Sequence, residues 1–195
     1  SGTASQSPGN ANAPLSVTRS AVFYVLRCLL PADIPPNQGC YETVDIIAPE
    51  GSLLNPQPPA AVSSGNVETS QRIVDVLLLA LKDLLPEEIP AQGQGTMNNI
   101  AIGWSDKTYY ETIAGGMGAM PKAQGASGVQ VHMTNTANTP VEALENHYPL
   151  RVLRTELREG SGGKGMQAGG MGVTRELLFL DNAKVSIQSE RRHFS

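Results

Sequence analysis

The hydrophobic pattern of this chain changes its period at Pro90, and that change constrains the fold more than any other feature. Before Pro90, apolar residues return every three or four positions; after it, they come in short runs bounded by glycine. Side chains repeat about every 3.6 residues around a helix and every two along a strand, so the two parts cannot share one kind of element. The expected fold is therefore α+β, with two main helices followed by a strand-rich half that holds one short capped helix.

The first helix is expected over residues 16–30. Val17, Ala21, Val22, Val25, Leu26, Leu29 and Leu30 keep helical spacing, with Ser16 as N-cap and Pro31 as a stop. The second is expected over residues 67–85, behind Asn66. There Ile73, Val74, Leu77, Leu78, Leu81, Leu84 and Leu85 form a broad apolar stripe that Pro86 ends. Between the helices, prolines and turn residues break up the apolar runs and leave one strand expected at 44–48. Beyond Pro90, most of the segments GTMNNIAIGW, KTYYETIAGGMGA, GVQVHMTNT, LRVLRTELREG, TRELLFL and AKVSIQSE read as strands. In GVQVHMT, alternation sends Val129, Val131 and Met133 to one face and Gln130, His132 and Thr134 to the other.

With 195 residues and 40% hydrophobic content the chain can bury a real core, and a single unit over 1–195 is the expectation. A net charge of -4, with 16% charged residues and no basic block, argues against nucleic acid as a partner. The longest apolar runs, such as VLLLALKDLL, carry charges and fall short of the roughly 20 residues a membrane helix needs. That argues for a soluble chain without a membrane partner. Cys28 and Cys40 lack metal-ligand spacing and are too few for a disulfide framework, as expected in a reducing cytoplasm. The chain does not begin with methionine and opens on the loop-like SGTASQSPGNANAP, so it is expected to be a piece of a larger protein.

The densest polar stretch is HMTNTANTPVEALE. Its second half reads as a helix start: the Thr139 hydroxyl accepts the Glu142 N–H, Glu142 reaches back, and Pro140 takes the first helical position. That short helix, VEALENH, is expected to bury Val141 and Leu144 and to stop before Pro149, with Glu145 partly buried and paired with His132 or an arginine. The first half has two readings. A strand end can deliver His132, Asn135 and Asn138 to one point, whereas asparagines also cap turns by bonding their own backbone. His132 has no second histidine nearby in the sequence, so spacing supplies no metal ligand set. GGMG occurs at 115–118 and again at 169–172, read as a coincidence of turn chemistry in which glycine serves positive φ. The glycine-rich GSGGKGMQAGGMG around Lys164 can expose backbone N–H groups to anions, but it matches no phosphate loop.

An ordered series of segments resembles the C-terminal part of the hydantoinase B family: PGNANAPLSVTRSAVFY, IAPEGSLLNPQPPAAV, GNVETSQRIVD, GTMNNIAIG, YYETIAGGMGA, HMTNTANTPVEALE, YPLRV, GSGGKG, AGGMGVTRE and the final ERR. The resemblance runs over essentially the whole chain. It implies a share in an ATP-dependent enzyme that opens a cyclic amide, a hydantoin or 5-oxoproline ring, with ATP bound by a hydantoinase A-type subunit or domain. It also implies that any divalent metal is held by residues upstream of this chain and by none within it. In such chemistry the amide oxygen is phosphorylated before water attacks, and the developing charge needs preorganised donors. On that basis His132 and Glu111 are the expected catalytic residues, and Asn135, Thr136, Asn138, Gly115 and Gly116 the expected substrate-side wall. Two alternatives stand beside it. One is a component of an ATP-dependent ketone carboxylase of the acetone or acetophenone type, which shares the B-type scaffold; the other is a non-catalytic assembly module whose apolar helix surfaces favour oligomers.

Overall fold

The computed structural model describes residues 2–190 and divides between Ile89 and Pro90 into two compact units, at the point where the hydrophobic period changes. The first unit is built on α1 (Leu15–Leu29) and α2 (Ser70–Leu81), which pack on each other. Ala21 and Val25 of α1 and Ile73, Val74 and Leu78 of α2 are buried. Each of the larger side chains contributes about 1.5–3 kcal/mol by leaving water.

The ends of these helices differ from expectation for local reasons. At the start of α1, Pro14 rather than Ser16 stands at the N-cap, and its carbonyl accepts the N–H groups of Val17 and Thr18. Proline's fixed φ, here -52°, suits the entry, and it has no N–H to satisfy. Ser16 lies inside the helix, where its carbonyl accepts the Ser20 hydroxyl. α2 is entered through a wide π-type turn, Gly65–Thr69, and ends at Leu81 rather than 85. The N–H groups of Leu84 and Leu85 both turn back to the Leu81 carbonyl, because Pro86 disfavours helical backbone at the residue before it. Leu84 is consequently 75% exposed instead of buried. Residues 44–48 form no strand, since the described residues of this unit offer no strand for them to pair with.

In the second unit, β1 (Asn98–Gly103) and β2 (Thr108–Ile113) form an antiparallel hairpin. β5 (Lys184–Gln188) joins the other side of β1, giving the order β2-β1-β5. α3 (Val141–His147) leads into β3 (Leu150–Leu157), which pairs with β4 (Val173–Phe179) in a separate two-stranded sheet. Ile102, Tyr109, Leu144 and Leu150 make the core, and Trp104 stacks on Tyr148 at its edge with ring centroids 5.5 Å apart. The architecture is thus α+β, with two helices ahead of a strand-rich half. No helix of the described residues is long and apolar enough to cross a membrane.

The sixth expected strand, GVQVHMTNT, is a loop. Val129 makes one bridge to Gly115, after which His132 adopts φ 58° and ends the alternation. Val131 is buried, but so is Thr134, which a regular strand would have turned the other way. The capping box also fails to form. Pro140, whose ring offers no acceptor, is the N-cap of α3, and the Thr139 N–H that Glu142 would have met is drawn to Glu111 on β2. Leu144 is buried as expected, whereas Val141 is 37% exposed. Glu145 is exposed, and among the described residues it forms no salt bridge with an arginine; it accepts the Val152 N–H where β3 bulges against β4.

Candidate functional site

Alternation along β2 turns Tyr109 and Glu111 inward and leaves Tyr110 at the surface. Glu111 meets Arg175 of β4, with Oε2 lying 2.8 Å from Nη1, and both side chains are less than 5% exposed. The contact is an ion pair rather than a well-directed hydrogen bond, since Oε2 receives no aligned N–H. The other carboxylate oxygen, Oε1, accepts the Thr139 N–H at 3.0 Å, and Arg175 Nη2 reaches the Thr139 carbonyl at 3.4 Å. Burial pushes the neighbouring Tyr109 phenol up to about 12; the Glu111 carboxylate adds to the rise, while Thr139 and Arg175 oppose it.

One residue further along β2, the Thr112 carbonyl accepts both Gln130 Nε2 and Asn138 Nδ2, each at 3.1 Å. Gln130 Oε1 in turn accepts the Thr134 hydroxyl at 3.1 Å. The polar loop is therefore tied to β2 at both ends. Between the ties, His132 is half-buried and Asn135 and Thr136 are exposed, as is Asn138, which forms the second tie. These four expected site residues share one loop; Glu111 lies beneath it, within the protein.

Gly115 and Gly116 lie just beyond the end of β2. The Gly115 N–H and carbonyl both bond to Val129, and the Gly116 carbonyl accepts the Gln94 N–H. Neither residue has positive φ, so turn geometry does not explain these glycines. Close approach does: a Cβ on Gly116 would sit 2.0 Å from the Gly170 carbonyl oxygen, and one on Gly170 would sit 1.9 Å from that of Ala126. The two GGMG stretches are thus packed backbone against backbone, with the Gly170 N–H donating to the Met117 carbonyl at 2.8 Å and the Gly128 N–H to that of Met171 at 3.0 Å. Their recurrence is not a coincidence of turns. Gly116→Ala is expected to cost about 1–3 kcal/mol or more, because backbone cannot yield as a side chain can. Gly163→Ala, where nothing lies within 4 Å, is expected to stay within about 0.5 kcal/mol of wild type. Urea unfolding of the two variants checks the contrast.

Lys164 is exposed in the glycine-rich segment, beside Met166, which is 96% exposed. Among the described residues, no group of three or more His, Cys, Asp or Glu side chains is placed to hold a metal. An open cleft of about 700 Å³ lies on the β3–β4 sheet, lined by Arg154, Glu156, Arg158 and Thr174 among others, and it includes none of the expected site residues.

Sequence reasoning missed Arg175 and Gln130. A signal for Arg175 existed: Val173, Arg175, Leu177 and Phe179 alternate along one strand, which sets an arginine on an otherwise apolar face, where a charge requires a partner. Gln130 carried no such signal, because its role comes from the loop that replaces the expected strand.

Comparison with known proteins identifies the family. The Hydantoinase B/oxoprolinase family matches residues 1–195. The chain is 51% identical to 5-oxoprolinase 1 of Arabidopsis thaliana over 98% of its own length. It is 32% identical to the B component of a putative D-/L-hydantoinase from a Pseudomonas species over 90% of its length. It spans about 15% of the Arabidopsis protein and 31% of the hydantoinase component. Among solved structures, the ATP-dependent caprolactamase of Pseudomonas jessenii superposes on 92% of this chain with TM-score 0.79 and 27% identity, the match covering 33% of that protein. An acetone carboxylase superposes on 92% of this chain with TM-score 0.80 at 20% identity, the match covering 26% of that protein, which shows a shared fold. With the family matched from end to end, this chain belongs to the hydantoinase B/oxoprolinase family.

Proposed function

We propose that this chain is part of an ATP-dependent hydrolase that opens a cyclic amide, with 5-oxoproline as the preferred ring. One observation carries the reading: the identity of 51% to a 5-oxoprolinase across 98% of the chain, against 32% to a hydantoinase component. The caprolactamase neighbour supports the wider class, because its named substrate is also a cyclic amide. The acetone carboxylase likeness lies at an identity that speaks for fold alone, so ketone carboxylation ranks second.

Within that enzyme the chain supplies the substrate-side wall. His132 is the residue for proton transfer, and Asn135, Thr136 and Asn138 offer hydrogen-bond donors to the oxygens of the phosphorylated amide, which carry the negative charge. Glu111, Gly115 and Gly116 support this loop from below. ATP, bound by a hydantoinase A-type domain or subunit outside this chain, would phosphorylate the amide oxygen and so make the ring carbonyl carbon electrophilic toward water. The enzyme works in a reducing cytoplasm as an oligomer, and the isolated chain is catalytically silent.

The test uses the intact protein that contains this chain. ATP hydrolysis is followed with 5-oxoproline, hydantoin, caprolactam, and acetone with bicarbonate supplied in turn. Stimulation by 5-oxoproline, with stoichiometric ring-opened amino acid, is expected. Coupling to acetone and bicarbonate alone would replace this reading with the carboxylase, and coupling to none would favour an assembly module.

A further inference from the structure

We infer that Glu111 and Arg175 form a positioning pair that fixes the polar loop, so that His132 and residues 135–138 are presented in one geometry. The inference rests on the proposed function for what the loop meets, but the mechanical claim stands on contacts alone. Glu111 is 5% exposed and engaged through both oxygens, one with Arg175 and one with the Thr139 N–H. A carboxylate held in this way is poorly placed to exchange protons with a molecule arriving from solvent. Arg175 completes the grip by reaching the Thr139 carbonyl, so the pair holds both backbone groups of the residue that closes the loop.

The opposite end of the loop is tied independently by Gln130, whose Nε2 donates to the carbonyl of Thr112, the residue next to Glu111; Asn138, beside Thr139, donates to the same carbonyl. Between the ties His132 sits at φ 58°, a conformation a non-glycine residue keeps where its surroundings enforce it. Buried ion pairs add little net stability, because desolvation offsets attraction. Their better-supported use is to select one arrangement over its alternatives, and here the arrangement selected is that of an exposed polar loop. Arg175 also ties the loop to β4, so the β3–β4 sheet sets where the loop stands.

The intact protein, assayed for ATP-dependent opening of 5-oxoproline, separates positioning from catalysis. Arg175→Met is expected to lower kcat roughly 10- to 100-fold, as small misplacements do, and to accelerate amide hydrogen exchange across residues 132–139. Glu111→Gln combined with Arg175→Met removes both charges but keeps an oxygen for the Thr139 N–H. That double variant strands no charge, so it is expected to fold yet to stay roughly 10-fold slow with an unchanged pH profile, because the grip on Thr139 is still missing. Gln130→Leu unties the other end without burying a charge, so it folds even if Arg175→Met does not; it is expected to lower kcat and to accelerate exchange in the same segment. Leu150→Ala is a core change that makes none of these hydrogen bonds, and it should keep kcat at temperatures where it is folded.

Three results would overturn the inference. One is a double variant as inactive as Glu111→Gln with one limb of the pH profile gone, which would make Glu111 itself the proton-transfer group. The second is Gln130→Leu with wild-type kcat and exchange. The third is Leu150→Ala losing as much kcat as Arg175→Met, which would reduce the pair to general stability. If the wild-type protein opens no cyclic amide, the functional reading fails separately, and the exchange comparison alone decides whether the pair fixes the loop.

Discussion

Arg175→Met is expected to destabilise the second unit by about 3–5 kcal/mol, because it leaves the Glu111 carboxylate buried without its counter-charge. The magnitude follows from asymmetry. Forming a buried pair returns little, since each ion gives up its hydration; removing one member leaves that cost on the other with nothing to offset it. At 5% exposure, Glu111 cannot recover hydration by turning to solvent without dragging Thr139 with it. The double variant Glu111→Gln/Arg175→Met should therefore be more stable than Arg175→Met alone and lie within about 1 kcal/mol of wild type. The chain's single tryptophan, Trp104, stacks at the core of this unit and reports its urea unfolding by fluorescence. A double variant no more stable than the single would show that the pair contributes direct stability rather than mutual neutralisation.

Periodicity made the large elements legible. The stripe from Ile73 to Leu78 and the alternation in NNIAIG and TYYETI had no rival reading, because each satisfies one geometry over enough residues. The reading failed where a local pattern was overruled from a distance. Thr139 and Glu142 have the capping-box spacing, yet the Thr139 N–H goes to a carboxylate 28 residues earlier in the chain, which no local pattern encodes. GVQVHMT alternates like a strand, but one left-handed residue, His132, turns it into a loop. The glycines of the two GGMG stretches look like turn residues in sequence, and only the approach of one backbone to the other reveals them as spacers. The candidate loop was found from its polar density and its resemblance to the hydantoinase B family. The Glu111–Arg175 pair that anchors it joins β2 to β4, a long-range contact that sequence spacing does not encode.

That division of labour bears on catalysis. The residues held in place, His132, Asn135, Thr136 and Asn138, are half-buried or exposed, whereas the side chains of Glu111 and Arg175 that grip Thr139 are inside. Negative charge on the oxygens of the phosphorylated amide is stabilised by donors already oriented before reaction, and removal of one such donor typically costs about 100- to 1,000-fold in kcat. Loss of a general acid or base costs about 100- to 10,000-fold. Asn135→Ala and His132→Ala therefore carry the largest expected effects on activity, and neither disturbs the buried anchors. Asn135 is exposed, so its removal should leave the unfolding midpoint near wild type.

The most direct measurement is single-turnover ring opening of 5-oxoproline with ATP by the intact protein, comparing wild type with His132→Ala and Asn135→Ala. The account predicts ring opening by the wild type, a fall of roughly 100-fold or more in each variant, and unchanged unfolding. Wild-type rates in both folded variants would contradict it.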